Sequence, residues 1–197
     1  MSLSLTLLSI FLLMLVMVEL RSASGDDPNF IRASCHRTLY QALCFTSLSP
    51  YAATIQSSHR QMAHAALSVG VGKAQSSSAA MSNMMVGLSK DTSKRAAVGA
   101  VRDCMENMAN SIDELQQAIA EDEHLPSNSR ATDFGEKMSN IQTWVSAALT
   151  EDDTCMDGFR GIAMDVDLMA QMRISVLGVA HLTSNALALI NALNETP

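Results

Sequence analysis

Residues 147–159 read AALTEDDTCMDGF: a small apolar run, three consecutive carboxylates, a threonine, a cysteine and a closing Gly-Phe. The role of Cys155 decides what kind of chain this is, because a nucleophile, a zinc ligand and half of a disulfide imply different proteins. Three further cysteines, Cys35, Cys44 and Cys104, lie upstream, so the count is four. An even count in a secreted chain argues for two disulfides. Zinc would want a close pair such as C-x2-C, and the sequence has none. A catalytic thiol would leave an odd cysteine over. Three pairings are possible. Cys35 and Cys44 are near enough to close a small hairpin, which leaves Cys104 for Cys155.

Secretion is read from the N-terminus. Residues 3–18, LSLTLLSIFLLMLVMV, are almost wholly apolar and give way at Glu19 and Arg21 to Ser22-Ala23-Ser24-Gly25. Small residues after such a run mark signal-peptide cleavage, expected here to remove residues 1–24, although no basic side chain precedes the run. The competing reading is a membrane anchor, but a span needs roughly 20 apolar residues. No other segment is read as a membrane span, so no membrane association is expected after cleavage. The formal charge of −7 survives the loss of Glu19 and Arg21, which cancel. Such a chain has no electrostatic reason to bind nucleic acid and suits a basic partner.

Working outward from Cys155, aromatics make up only 4% of the chain while Ala, Ser, Leu and Met are common, a composition that favours helices. Four long stretches repeat apolar residues at helical spacing. The first opens at Ser49-Pro50 and passes Ala52, Ile55, His59, Met62, Ala66 and Val69 to Met81, Met84, Met85 and Leu88. Gly70 and Gly72 are expected to weaken it by about 1 kcal/mol each and to bend it. The second follows a cap at Thr92 or Ser93 and carries Ala97, Val101, Cys104, Met108, Leu115 and Ile119, ending in EDEHLPSNS at 121–129. The third opens near Thr132 or Asp133 and carries Phe134, Met138, Ile141, Val145, Ala148, Cys155 and Phe159, with Asp152 on the same stripe. The fourth runs from about Leu168 to Leu193. The expected class is all-α: an up-and-down four-helix bundle over 49–197, preceded by a helical hairpin over 25–48.

Catalytic patterns are missing. There is no G-x-S-x-G, P-loop or H-E-x-x-H, and Gly70-Val71-Gly72 lacks a preceding strand. His59 reads as a core or boundary histidine, and His64 falls off its stripe at a spacing unsuited to a metal clamp. No cofactor or metal is expected. Glu151, Asp152, Asp153 and Asp157 crowd one region without the alternation of a calcium loop. They read either as a solvated acidic face or as a recognition patch beside the disulfide. The methionine stripes read as core in preference to a sticky groove. Asn194-Glu195-Thr196 is a formal glycosylation sequon, but Pro197 follows at once and little use of it is expected.

Four segments together resemble one family. CHRTLYQALC (35–44), AVRDCMENMANSIDELQQA (100–118), TWVSAALTEDDTCMDGF (143–159) and LTSNALALI (182–190) are similar, in order, to the plant invertase and pectin methylesterase inhibitors. The resemblance implies a four-helix bundle behind a helical hairpin, with disulfides Cys35–Cys44 and Cys104–Cys155. Invertase inhibitors usually carry Pro-Lys-Phe at the start of the third helix, where this chain has Thr132-Asp133-Phe134. The resemblance therefore implies a pectin methylesterase as partner, inhibited in a one-to-one complex that covers its substrate cleft in the apoplast or cell wall. With no dibasic processing site and no catalytic domain, a free inhibitor is expected in place of an esterase pro-region. Carried over by position, the resemblance places Glu106, Asp113, Thr154 and Asp157 at the contact, while Asn110 stands where some members have another acid. The patch at 151–157 then reads as recognition. Two rival readings are an invertase inhibitor and a secreted lipid-binding helical protein, the second needing an internal cavity. A homodimer formed through the Met-rich first helix is also open.

Overall fold

A computed structural model describes residues 28–128 and 130–193. The expected signal peptide and the Asn194 sequon lie outside the described residues. Two short helices come first, α1 (Pro28–Cys35) and α2 (Gln41–Leu48). The Cys35–Cys44 disulfide joins them, with Cα atoms 5.7 Å apart. A 3-10 turn at Ser49–Tyr51 leads to a single helical turn, α3 (Ala52–Ile55). Four long helices follow: α4 (His59–Leu88), α5 (Arg95–Glu123), α6 (Phe134–Asp157) and α7 (Val166–Leu193). Each packs against its two neighbours round a closed ring, α4 on α5, α5 on α6, α6 on α7 and α7 back on α4. The expected all-α bundle with its leading hairpin and both expected disulfides is what the chain forms.

The first long helix differs from its reading. In place of one helix from Ser49 to Leu88, the chain breaks at Gln56 and Ser57, whose φ angles are 45° and 61°. The Ser58 hydroxyl then caps α4 by accepting the Gln61 N–H at 3.3 Å. Three polar residues in a row offer the backbone a cap and no side chain to bury, so the helix restarts there. The apolar stripe hid the break because Ile55 and Met62 are both fully buried on either side of it. Conversely, Gly70 and Gly72 do not interrupt α4, which runs 30 residues without a break.

Two later helix starts are capped by aspartates. Asp91 Oδ1 accepts the Ser93 N–H at 2.9 Å and the Ser93 hydroxyl at 2.7 Å, so Asp91, and neither Thr92 nor Ser93, starts the turn that feeds α5. These bonds hold the Asp91 carboxyl below its ordinary range. Asp165 does the same for α7, accepting from the N–H groups of Asp167 and Leu168 at 3.0 and 3.2 Å. At the far end of α5, Arg60 donates to the Asp122 carbonyl, one of the acceptors that a helix leaves open, and to the Leu125 carbonyl in the loop beyond it.

The interior has two apolar layers. One, under the hairpin, gathers Ile31, Leu48, Ile55, Met62, Leu115, Met138, Ile141 and Ile190. The other gathers Met81, Val101, Cys104, Met108, Cys155, Phe159, Met172 and Val176. Each such side chain removed from water contributes roughly 1.5–3 kcal/mol. Met62, Met81, Met108, Met138 and Met172 are all fully buried, so the methionine stripes are packing material. By length and composition α7 is also apolar enough to cross a membrane, contrary to the sequence reading, but 56% of its most apolar window is buried inside the bundle. It is the core helix.

The hairpin is fastened to this core helix. The Asn185 amide accepts the Tyr40 N–H at 3.1 Å and donates to the Tyr40 carbonyl at 3.0 Å. The Tyr40 ring stacks on His181 with centroids 3.7 Å apart.

Candidate functional site: the face over the second disulfide

Helices α5 and α6 run antiparallel, and the Cys104–Cys155 bond crosses them where their Cα atoms are 4.3 Å apart. That crosslink fixes the register. Glu106 and Asp113 on α5 and Thr154 and Asp157 on α6 are all exposed. Asn110 is exposed between the two α5 carboxylates. Asp157 is paired with Arg160 at 2.8 Å, so part of its charge is answered within the chain.

Thr154 belongs to a row. Thr143, Ser146, Thr150 and Thr154 each donate a hydroxyl hydrogen to the carbonyl one turn back, at 2.7 to 3.1 Å. Their donors are thus engaged along the helix, and their oxygens remain as acceptors on an exposed strip. Flanked by carboxylates, the strip offers a partner acceptors and negative charge, which suits arginine, lysine and backbone N–H groups.

The four clustered carboxylates do not share one environment, which corrects the reading of 151–157 as a single solvated or recognition patch. Asp153 and Asp157 are exposed and Glu151 is half-buried. Asp152 is fully buried, 0% exposed. It points inward because it lies on the stripe of Val145, Ala148 and Cys155, which a helix must turn toward its neighbours. Neither of its oxygens has a hydrogen-bond partner, and neither has the Ser111 hydroxyl of α5. Burial pushes the Asp152 carboxyl up to about 7; the nearby Ser111 hydroxyl pulls it down, and the charges of Asp153 and Glu151 raise it further. Glu114 on α5 is also raised, first by burial and then by Glu151 and Asp113. With its amide oriented by its neighbours, Asn107 ties the seam by donating to Glu151 Oε2 and accepting the Cys155 N–H, both at 3.1 Å.

A second buried carboxylate sits at the other end of α5. Asp122 meets His64 Nδ1 at 2.9 Å and Arg60 Nε at 3.6 Å. In sequence His64 lies off the apolar stripe and Asp122 belongs to none of the motifs. The signal was present, since Asp122 follows Leu115 by seven residues, two full turns along the inward face. His59 lies exposed at the rim with its ring edge-on to Phe30, centroids 4.9 Å apart.

The chain matches the family model described as plant invertase/pectin methylesterase inhibitor over residues 29–189. A carrot (Daucus carota) protein called "21 kDa protein" is 41% identical over 179 residues, covering 89% of this chain and 90% of the relative. "Pectinesterase inhibitor 9" of Arabidopsis thaliana is 39% identical over 196 residues, covering 95% and 94%. Among solved structures, a mutant form of a pectin methylesterase inhibitor from Arabidopsis superposes with a TM-score of 0.61 at 18% identity, covering 80% of this chain and 92% of that one. At that identity the superposition speaks for the fold, and the sequence matches speak for kinship: the chain belongs to the plant invertase/pectin methylesterase inhibitor family.

Proposed function

We propose that this protein is a non-catalytic inhibitor of pectin methylesterase, secreted into the cell wall after loss of residues 1–24 and active as residues 25–197. The observation that carries the reading is its similarity over nearly its whole length to pectinesterase inhibitors. The invertase alternative has the weaker support, since Thr132-Asp133-Phe134 stands where invertase inhibitors usually carry Pro-Lys-Phe.

In this reading the outer side of α5 and α6 covers the enzyme's substrate cleft in a one-to-one complex, with Glu106, Asp113, Thr154 and Asp157 in contact. The bundle excludes pectin by occupying its place, with no bond made or broken and no cofactor. A disulfide-stapled face loses little conformational freedom on docking, which leaves more of the contact energy for affinity. Its carboxylates speed encounter with a basic partner and set the register more than they add raw affinity. The test is inhibition of pectin methylesterase and of acid invertase by the same preparation, with the stoichiometry measured by titration. Inhibition of the esterase alone is expected; inhibition of invertase alone overturns the choice of target.

A further inference from the structure

The strip described above rests on a seam with an unanswered polar pair inside it. Asp152 and Ser111 are both 0% exposed, one on each helix of the α5/α6 pair. The carboxyl has two oxygens without a partner and the hydroxyl has none either. A buried carboxylate with no cation nearby carries a large desolvation cost, which taking up a proton removes. We propose that Asp152, buried opposite Ser111, makes the α5/α6 contact a proton-dependent clasp, tight when the carboxyl is neutral and strained when it is charged, with the Ser111 hydroxyl offsetting only part of the cost of the charge.

The surroundings leave no other way to neutralise the charge. On its own helix the charges that act on it are Asp153 and Glu151, both acids, and on α5 the ionisable residues beside Ser111 in sequence, Asp113 and Glu114, are acids too. From α4 and α7 the buried residues in the middle of the bundle are Val71, Ala74, Ser77, Val176, Val179 and Thr183, none of them ionisable. The bases of those helices lie elsewhere: Lys73 runs along Gly178 in the α4/α7 groove, and Arg173 is exposed. Cys155, three residues on, is tied to Cys104, so the helices cannot part at that point, and the response must be a local loosening around 107–114 and 149–153.

The sign follows from linkage. The fold binds this proton more tightly than the unfolded chain does, because the folded carboxyl titrates near 7 and an ordinary one near 3.8. Stability therefore falls as pH rises between those two values, and is flat above and below them. Most paired carboxylates do the reverse.

The experiment compares the full mature chain with Asp152→Asn and Ser111→Ala from pH 4 to 8, by thermal melting and by amide hydrogen exchange across the seam. The Asn variant keeps the shape without the titration. Its melting temperature is expected to rise relative to wild type between pH 4 and 7, by on the order of 5–10 °C, and the gap then holds constant. Exchange at 107–114 is expected to quicken with pH only in the wild type, after correction for intrinsic rates. Ser111→Ala removes the group that lowers the carboxyl's proton affinity, so the wild-type inflection is expected to move to higher pH. Parallel melting profiles for wild type and Asp152→Asn, or an Asp152 carboxyl that titrates near 3.9 by NMR, overturn the clasp. Neither readout requires a target enzyme, so the outcome stands apart from the inhibitor reading.

Discussion

Replacing Asn185 by alanine is expected to release the hairpin while leaving the bundle folded. One amide side chain satisfies both the N–H and the carbonyl of Tyr40, at 3.1 and 3.0 Å, across 145 residues of chain. Alanine offers neither. Each buried backbone group left unmet costs about 1–3 kcal/mol. Tyr40 is only half-buried, so water relieves part of that, and the sum comes to about 2–3 kcal/mol. At 1.4 kcal/mol per tenfold, the undocked population rises by roughly 60-fold. The Cys35–Cys44 bond keeps the released unit in one piece, and Ile31 and Leu48, each 1% exposed, are what it uncovers. Leu39, 75% exposed beside Tyr40, is a ready chymotrypsin site. The assay is brief chymotryptic digestion followed by reduction, with hydrogen exchange at the Tyr40 amide read in parallel. Both rates are expected to rise together in Asn185→Ala, and Asn185→Asp, which keeps an acceptor for the N–H alone, is expected to fall between. If cleavage and exchange match wild type while the urea midpoint drops, the amide stabilises the bundle as a whole and the idea of a local clasp fails.

Three further outcomes are expected. Opening the Cys104–Cys155 link, which spans 51 residues, by paired serine substitution costs about 4 kcal/mol by loop entropy, against about 2.5 kcal/mol for the Cys35–Cys44 link of nine; urea midpoints of the two double variants rank them. Gly72→Ala is expected to stabilise by about 0.8–1 kcal/mol and raise the melting temperature by roughly 2–4 °C, since Gly72 is exposed on α4 with nothing within 4 Å of an added Cβ; no gain would mean that α4 is not a regular helix there. Glu106→Gln and Asp113→Asn together are expected to slow association with pectin methylesterase several-fold at low salt and to leave dissociation nearly unchanged, and the difference is expected to fade above about 0.15 M salt.

The fold could be read from this sequence because its signals repeat. Four stripes at helical spacing and four cysteines constrain one another: a disulfide between 104 and 155 is possible only if α5 and α6 lie side by side in the register that also buries Val101, Met108 and Val145. The break at Gln56–Ser58 could not be read that way. Ile55 and Met62 are seven residues apart, and a stripe of that period is the same whether the helix runs through or stops and restarts in phase. The left-handed angles at Gln56 and Ser57 carry no residue signature such as glycine, so only the three-dimensional path reveals them.

The binding face is harder to read than the fold for a reason visible in two aspartates. Asp122 and Asp152 both fall on inward stripes, and both are buried. Register alone therefore foretells that each leaves water. It does not foretell what each meets there, because partners come from other helices. Asp122 is met by Arg60 and His64 from α4, 62 and 58 residues away, and becomes part of a latch at the end of α5. Asp152 is met by a serine and surrounded by acids, so its burial has to be answered by a proton. One carboxylate thus strengthens the scaffold through a charge pair, and the other makes the scaffold responsive to pH at the very seam on which the acidic strip is mounted. In a sequence, a run of carboxylates reads as one patch; in the fold, the helix turns one in four of them inward, and that one reports on the medium while its neighbours face the partner.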